Sequence, residues 1–88
     1  MKHIGLDAHS KRCFFAVIDG RGKAVTSQYV KTTESDILRF VRSIKGRKAL
    51  AFEEGVISQW LYLLFKDEVD ELTRNVWERD HANRETKI

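Results

Sequence analysis

The stretch that decides the architecture of this chain is residues 12–31, Arg-Cys-Phe-Phe-Ala-Val-Ile-Asp-Gly-Arg-Gly-Lys-Ala-Val-Thr-Ser-Gln-Tyr-Val-Lys. Its first part, from Arg12 to Asp19, is rich in aromatic and β-branched residues, which favour a strand. The Asp19-Gly20 pair between two apolar runs is typical of a hairpin turn. Residues 23–31 then alternate in character and leave one face fairly polar, as a strand does. The stretch therefore predicts an antiparallel hairpin.

The residues on either side of this hairpin extend it into a larger sheet. A short apolar-leaning run, 3–6, stops at Asp7 and predicts an earlier strand, so the chain starts as an antiparallel meander. After the hairpin, Thr33 and the acid at Asp36 resemble a capping box. Apolar residues follow at helical spacing, namely Ile37, Leu38, Phe40, Val41 and Ile44. We expect this helix to be capped by Gly46.

The second half of the chain predicts crossovers. Residues 48–52 form an apolar run that is too short for a helix and ends at Glu53, residues 56–65 have helical spacing, and residues 69–72 suit a short strand. The order β-β-β-α-β-α-β predicts an α/β mixed sheet with helices packed on it, because strand-helix-strand crossovers give parallel pairing. We expect this domain to cover residues 1–73. Residues 74–88 form a divergent polar tail, either helical or disordered.

Composition narrows the class of protein. The chain has 88 residues, enough for one small domain, and a net charge of +3 that is compatible with nucleic-acid binding without establishing it. Its one cysteine, Cys13, excludes an internal disulfide. The sequence has no apolar stretch long enough for a signal peptide or a membrane span. We therefore expect a cytoplasmic protein.

Two acidic positions could carry chemistry. Asp7 follows the first predicted strand and Glu53 follows the fourth, and neighbouring strands can bring such carboxylates to one point. Carboxylates are suitable ligands for Mg²⁺ or Mn²⁺ in phosphoryl chemistry. An acid at a strand end is also a common turn former, however, and Glu53 or Glu54 could simply begin the next helix. Spacing alone leaves both interpretations open.

Three further side chains near Asp7 are candidates for nucleic-acid contacts. Lys11 and Arg12 could contact a phosphate backbone, and His9 could contact a phosphate or a water molecule. The alternative is that all three are solvated surface residues. The three histidines are too scattered to form a zinc site with one cysteine.

Residues 4–11, Ile-Gly-Leu-Asp-Ala-His-Ser-Lys, resemble the opening of the DEDD transposases of the insertion sequence 110 family. The hairpin with Asp19-Gly20 and the Thr32-Thr33 pair before a helix also match that family. So do residues 52–55, Phe-Glu-Glu-Gly, followed by Trp-Leu-Tyr at 60–62. The resemblance covers residues 3–72 and depends on the ordered set of these features.

The resemblance implies a ribonuclease-H-like fold, similar to Holliday-junction resolvases, with Mg²⁺-dependent chemistry. The first acid of the family maps onto Asp7 and the second onto Glu53, with Glu54 as a competitor. Full-length members recombine DNA with a guide RNA and carry a C-terminal domain with a serine nucleophile. Their third and fourth acids lie in a segment that has no match here, and Asp80 has neighbours that do not fit.

We therefore expect a truncated transposase or recombinase domain that is inactive alone and forms a homodimer through uncovered sheet edges. A second hypothesis is a metal-free module of the same fold that binds nucleic acid or assembles with itself. A third is a fragment of an actin-like ATPase or kinase, which normally has a glycine-rich phosphate turn after its first strand. Residues 8–10, Ala-His-Ser, have no glycine, so this hypothesis ranks last.

Overall fold

The computed structural model describes residues 1–75. These residues form five strands and two helices in the predicted order β-β-β-α-β-α-β. The elements are β1 (Lys2–Ala8), β2 (Arg12–Ile18), β3 (Ala24–Lys31), α1 (Glu34–Ser43), β4 (Lys48–Glu53), α2 (Ser58–Phe65) and β5 (Glu71–Asn75).

The five strands form one mixed sheet in the order β3-β2-β1-β4-β5. The meander β1-β2-β3 is antiparallel, whereas β4 pairs parallel to β1 and β5 pairs parallel to β4. Helices α1 and α2 make the crossovers that lead into β4 and β5. The predicted α/β class and the predicted mixed sheet with two helices are thereby confirmed.

The hydrophobic core lies on one face of this sheet, beneath both helices. Alternate residues of β1 and β2, such as Leu6 and Phe15, are buried there together with Phe40 of α1 and Phe65 of α2. The rings of Phe15 and Phe40 are 4.5 Å apart. Truncation of a fully buried phenylalanine such as Phe15 to alanine costs about 3–5 kcal/mol, so this cluster dominates the stability of the fold.

Both helices of residues 1–75 pack into the core cluster, so neither of them covers the opposite face of the sheet. Its central row runs across all five strands and consists of small residues: Ser27, Ala16, Gly5, Ala51 and Thr73. Small side chains keep the middle of this face shallow. The larger polar and aromatic side chains in the next row therefore project above this shallow middle.

Helix α1 begins as the sequence predicts. The Thr33 hydroxyl oxygen accepts a hydrogen bond from the Asp36 backbone N–H at 3.2 Å, which satisfies a free donor of the first turn. The predicted C-terminal cap was wrong. Ile44 is the cap residue, in an extended conformation, and Gly46 stands two residues later at φ +83°, a left-handed conformation that glycine adopts without strain.

Strand β1 is longer than predicted, because pairing with β2 continues past the first acid. Asp7 pairs with Phe14 and Ala8 pairs with Cys13, so Asp7 is the second-last residue of β1 and does not follow the strand. Cys13 itself is fully buried.

The fifth strand lies later in the chain than the sequence predicts. Strand β5 continues to Asn75, since Arg74 pairs with Phe52 and Asn75 pairs with Glu53 of β4. The strand predicted at residues 69–72 is therefore observed at Glu71–Asn75, and the domain boundary at residue 73 stays a prediction. The rest of the predicted tail, 76–88, lies outside the described residues.

The longer helix of residues 1–75, α1, has ten residues. No helix in this part of the chain is long and apolar enough to cross a membrane.

Candidate metal and nucleic-acid site

Asp7 and Glu53 lie at the carboxyl ends of two adjacent parallel strands. Leu6 of β1 pairs with Phe52 of β4, and the two acids are the next residue on each strand. Leu6 and Phe52 point into the core, so the alternation of a strand directs both carboxylates to the opposite face. Neighbouring strands are about 4.8 Å apart. The structure thus brings together the two acids that the sequence predicted.

Both acids line one cleft with a volume of about 440 Å³. One wall comes from residues 7–10, where β1 turns toward β2, and the other from residues 53–58, between β4 and α2. Leu6 and Leu61 also line the cleft and are buried in the core. The chemistry-bearing groups therefore stand at the rim of a cleft with an apolar base.

His9 is the partner of Asp7. Its Nε2 atom lies 3.3 Å from Asp7 Oδ1, and the two side chains are 69% and 73% exposed. An ion pair this exposed contributes little to stability, and it needs a protonated histidine. His9 is free to rotate toward water, so it can donate a hydrogen bond to a phosphate oxygen near Asp7.

The structure separates Glu53 from its neighbour Glu54. Glu54 Oε1 lies 3.2 Å from Arg74 Nε, and its Oε2 accepts a hydrogen bond from the Ser58 hydroxyl at 3.3 Å. The Glu54 backbone N–H also donates to the Asn75 carbonyl at 2.6 Å. Glu54 thus fastens the loop after β4 to α2 and β5.

Glu53 has no comparable role. Within residues 1–75 its carboxylate forms no hydrogen bond and no ion pair with another side chain, and it remains exposed. A carboxylate without protein partners keeps both oxygens for an external ligand. The geometry therefore favours Glu53 over Glu54 as the second acid of the cleft.

This pair of carboxylates suits a divalent cation that is only partly held by protein. In the described part of the chain no three histidine, cysteine or acidic side chains come close enough to form a metal cluster. Mg²⁺ usually retains several waters and is bound by one or two carboxylates together with substrate phosphates. Asp7 and Glu53 fit that mode, and a closed all-protein site does not fit. Asp80 lies outside the described residues.

The other predicted contact residues surround a second concavity of about 470 Å³ that shares Asp7 and His9 with the cleft. Lys11 and Arg12 line it, and their phosphate contacts stay a prediction. Sequence reasoning missed two aromatic residues there, Phe14 and Tyr29. Because Arg12, Phe14 and Tyr29 share one face only in the observed register of the hairpin, that register was the signal needed to find them.

A larger concavity of about 540 Å³ lies between β3 and α1. Its acid, Asp36, is already bound to Arg39 at 3.1 Å and to the Thr33 hydroxyl at 2.6 Å. That concavity therefore presents no free carboxylate, and the cleft at Asp7 and Glu53 is the better candidate.

Sequence comparisons found no match for the chain, whereas a solved structure is similar to it. No protein-family model matches the chain, and no curated protein matches it. Among solved structures, the chain is similar to LC11-RNase H1, crystallised in complex with an RNA/DNA hybrid, with a TM-score of 0.49 and 10% sequence identity. The alignment covers 96% of this chain and 90% of that one.

Proposed function

We propose that this chain forms part of a Mg²⁺-dependent nucleic-acid-processing site, as the N-terminal ribonuclease-H-like part of a DEDD transposase similar to the insertion sequence 110 family. One observation carries the proposal. Asp7 and Glu53 lie at the carboxyl ends of adjacent parallel strands and line one cleft, and the Glu53 carboxylate has no partner within residues 1–75. The sequence resemblance assigns the first two acids of the family to the same two positions.

Asp7 and Glu53 would hold Mg²⁺ or Mn²⁺ at the rim of the cleft, with a phosphate group of the nucleic acid completing the ligand set. When bound, the ion stabilises negative charge on the phosphate oxygens. Lys11 and Arg12 attract the strand and hold its backbone beside the acids. His9, 3.3 Å from Asp7, donates a hydrogen bond to a phosphate oxygen or to a water molecule.

We expect this chain to bind nucleic acid without cleaving it. The resemblance implies four acids, and residues 1–75 provide two of them. Two carboxylates are sufficient to share a cation with a phosphate, whereas the two-metal geometry of phosphoryl transfer depends on a larger ligand set.

The proposal is tested by the Mg²⁺ dependence of DNA binding. The anisotropy of a labelled four-way DNA junction is measured with Mg²⁺ and with EDTA, for the wild-type protein and for Asp7→Asn, Glu53→Gln and Glu54→Gln. We expect Mg²⁺ to tighten binding by the wild type and by Glu54→Gln only. An equal effect of Mg²⁺ on all four proteins would sink the proposal and favour the metal-free binding module.

We also propose that the chain forms a homodimer. Among residues 1–75, β3 and β5 are the two edge strands of the sheet, and most of their residues are exposed. Unpaired edges of this kind favour strand-to-strand association. Sedimentation equilibrium is expected to give the mass of two chains, and a single-chain mass at the highest concentrations would contradict the dimer.

A further inference from the structure

An aromatic surface stands beside the proposed metal site on the open face of the sheet. Asp7 of β1, Phe14 of β2 and Tyr29 of β3 are consecutive partners across the three antiparallel strands, so they occupy one row. The Phe14 and Tyr29 rings are 4.9 Å apart at an angle of 58°. Tyr29 is 60% exposed, so much of this side chain is accessible to a ligand.

A guanidinium group extends this surface. Arg12 Cζ lies 4.3 Å from the centre of the Tyr29 ring, within the range of a cation–π contact. Arg12 also pairs with Lys31 of β3, which is exposed at the end of that strand. Planar guanidinium groups and aromatic rings are the two side-chain surfaces on which unpaired bases stack in nucleic-acid complexes.

The charges around this surface suit a phosphate backbone. Lys11, Arg12 and Lys31 are exposed, and within residues 1–75 none of the three forms an ion pair with a carboxylate. The other arginine that lies over a tyrosine is different. Arg74 lies 5.4 Å from the Tyr62 ring, and its charge is compensated by Glu54 at 3.2 Å.

We propose that Tyr29, Phe14 and Arg12 form a base-stacking shelf, and that it binds an unpaired nucleotide of a single-stranded nucleic acid. The shelf deepens the proposed function, because it leads the strand toward Asp7 at the other end of the same row. Its concavity of about 470 Å³ is within the usual range for a ligand of nucleotide size. A duplex would not fit, since the faces of paired bases are already stacked on each other.

The test is metal-free binding of single strands. The anisotropy of labelled oligothymidylate and oligouridylate is measured at low salt in EDTA, so that the metal site does not contribute. Tyr29→Ala is expected to weaken binding about tenfold, as loss of one stacked base does. Tyr29→Phe is expected to bind like the wild type, because the ring stacks and the hydroxyl does not.

Tyr62→Ala is the matched control, since Tyr62 is also an exposed tyrosine beside an arginine, and it is expected to bind like the wild type. Arg12→Gln provides a second variant that does not alter the aromatic pair. It is expected to reduce the slope of log affinity against log salt by about 0.7, the value for one phosphate contact on a single strand. Circular dichroism establishes that each variant is folded.

Three results would overturn the shelf: Tyr29→Ala binding like the wild type, Tyr29→Phe being as weak as Tyr29→Ala, or duplex binding in the absence of single-strand binding. A preference for thymidylate or uridylate identifies DNA or RNA as the natural strand, and either supports the shelf. Because these measurements lack metal, failure of the shelf leaves the Mg²⁺ proposal standing. Failure of the Mg²⁺ proposal likewise leaves a ring-dependent shelf standing.

Discussion

The charged residues at the two ends of the parallel strands differ in whether they contact other groups of the protein. At the amino ends, which we call the paired end (Arg42, Lys48, Glu68 and Asp70), each charged group contacts the protein itself. Arg42 donates two hydrogen bonds of 2.9 Å to Glu68, and the Lys48 backbone N–H donates to Asp70 Oδ2 at 2.8 Å. These contacts fasten α1 and β4 to the chain segment that leads into β5.

At the carboxyl ends lies a set of residues that we call the open end (Asp7, His9, Lys11, Arg12 and Glu53). Their charged groups form few ion pairs within the protein. Among these five residues the single ion pair is the exposed contact between Asp7 and His9, whereas the neighbouring Glu54 and Arg74 pair with each other at 3.2 Å. A small domain has little stability to spare, and unpaired like charges lower it. The difference indicates that the charged groups of the paired end stabilise the fold, whereas those of the open end remain available to an external ligand.

The largest expected effect on stability at the paired end comes from Lys48→Met. Lys48 Nζ donates to the Ile44 carbonyl at 2.6 Å and to the Val41 carbonyl at 3.2 Å, where it offsets the negative end of α1. Methionine keeps the apolar stem and removes both hydrogen bonds. We expect a loss of about 1–2 kcal/mol in the free energy of unfolding, measured by urea denaturation. Lys11→Met is the control at the open end. An equal loss in its free energy of unfolding would contradict the difference between the two ends.

A smaller effect is expected from the ion pair between Arg42 and Glu68. The pair is bidentate but exposed on the arginine side, so its contribution to stability is smaller than that of Lys48. A double-mutant cycle with Arg42→Gln and Glu68→Gln measures this coupling free energy. A coupling of zero would show that the geometry of the paired end does not stabilise the fold.

The same pair sets a pH dependence. The hydrogen bond from Arg42 holds the pKa of Glu68 below its usual range, and backbone N–H donors from Lys23 and Arg21 lower the pKa of Asp19. A carboxyl whose pKa is lower in the folded state stabilises the fold above its unfolded pKa, and that contribution is lost as pH falls through the folded pKa. Melting temperature should therefore decrease below about pH 4, and decrease less steeply in Glu68→Gln. An unchanged slope in this variant would contradict the assignment.

The smallest effect on stability is expected at the open end. Asp7→Asn and Glu53→Gln each remove a charge that has no structural partner other than exposed His9, so unfolding in EDTA should change by less than about 0.5 kcal/mol. Removing either charge also relieves repulsion between the two carboxylates, so a slight gain is the expected direction. Urea denaturation in EDTA measures both variants. A loss above about 1 kcal/mol would show that these acids maintain the fold.

Local signals in the sequence were sufficient for most of the fold. The Thr33 capping box and the Asp19-Gly20 hairpin depend on residues close in sequence, and both are present, although the Asp19 carboxylate closes a longer loop by accepting hydrogen bonds from Arg21 and Lys23. The approach of Asp7 to Glu53 followed from the rule that a crossover makes neighbouring strands parallel.

Features that depend on distant partners could not be predicted. Glu54 differs from Glu53 because it contacts Arg74 and Ser58. Arg74 lies in β5, whose predicted end was residue 72 and whose observed end is Asn75. The shelf at Tyr29 depends on a register that shifts between Val17 and Ile18. A shift of one residue reverses the faces of a strand, so alternation alone could not place Tyr29 beside Arg12.

The most direct test of the open end as a metal site is a calorimetric titration of Mn²⁺ and Mg²⁺ into the wild-type protein, Asp7→Asn, Glu53→Gln and Glu54→Gln. We expect binding by the wild type and by Glu54→Gln, and no detectable binding by Asp7→Asn or Glu53→Gln, because each removes one of two protein ligands. Binding that persists in Asp7→Asn and Glu53→Gln, or its absence from the wild type, would contradict the claim that these two acids form a metal site.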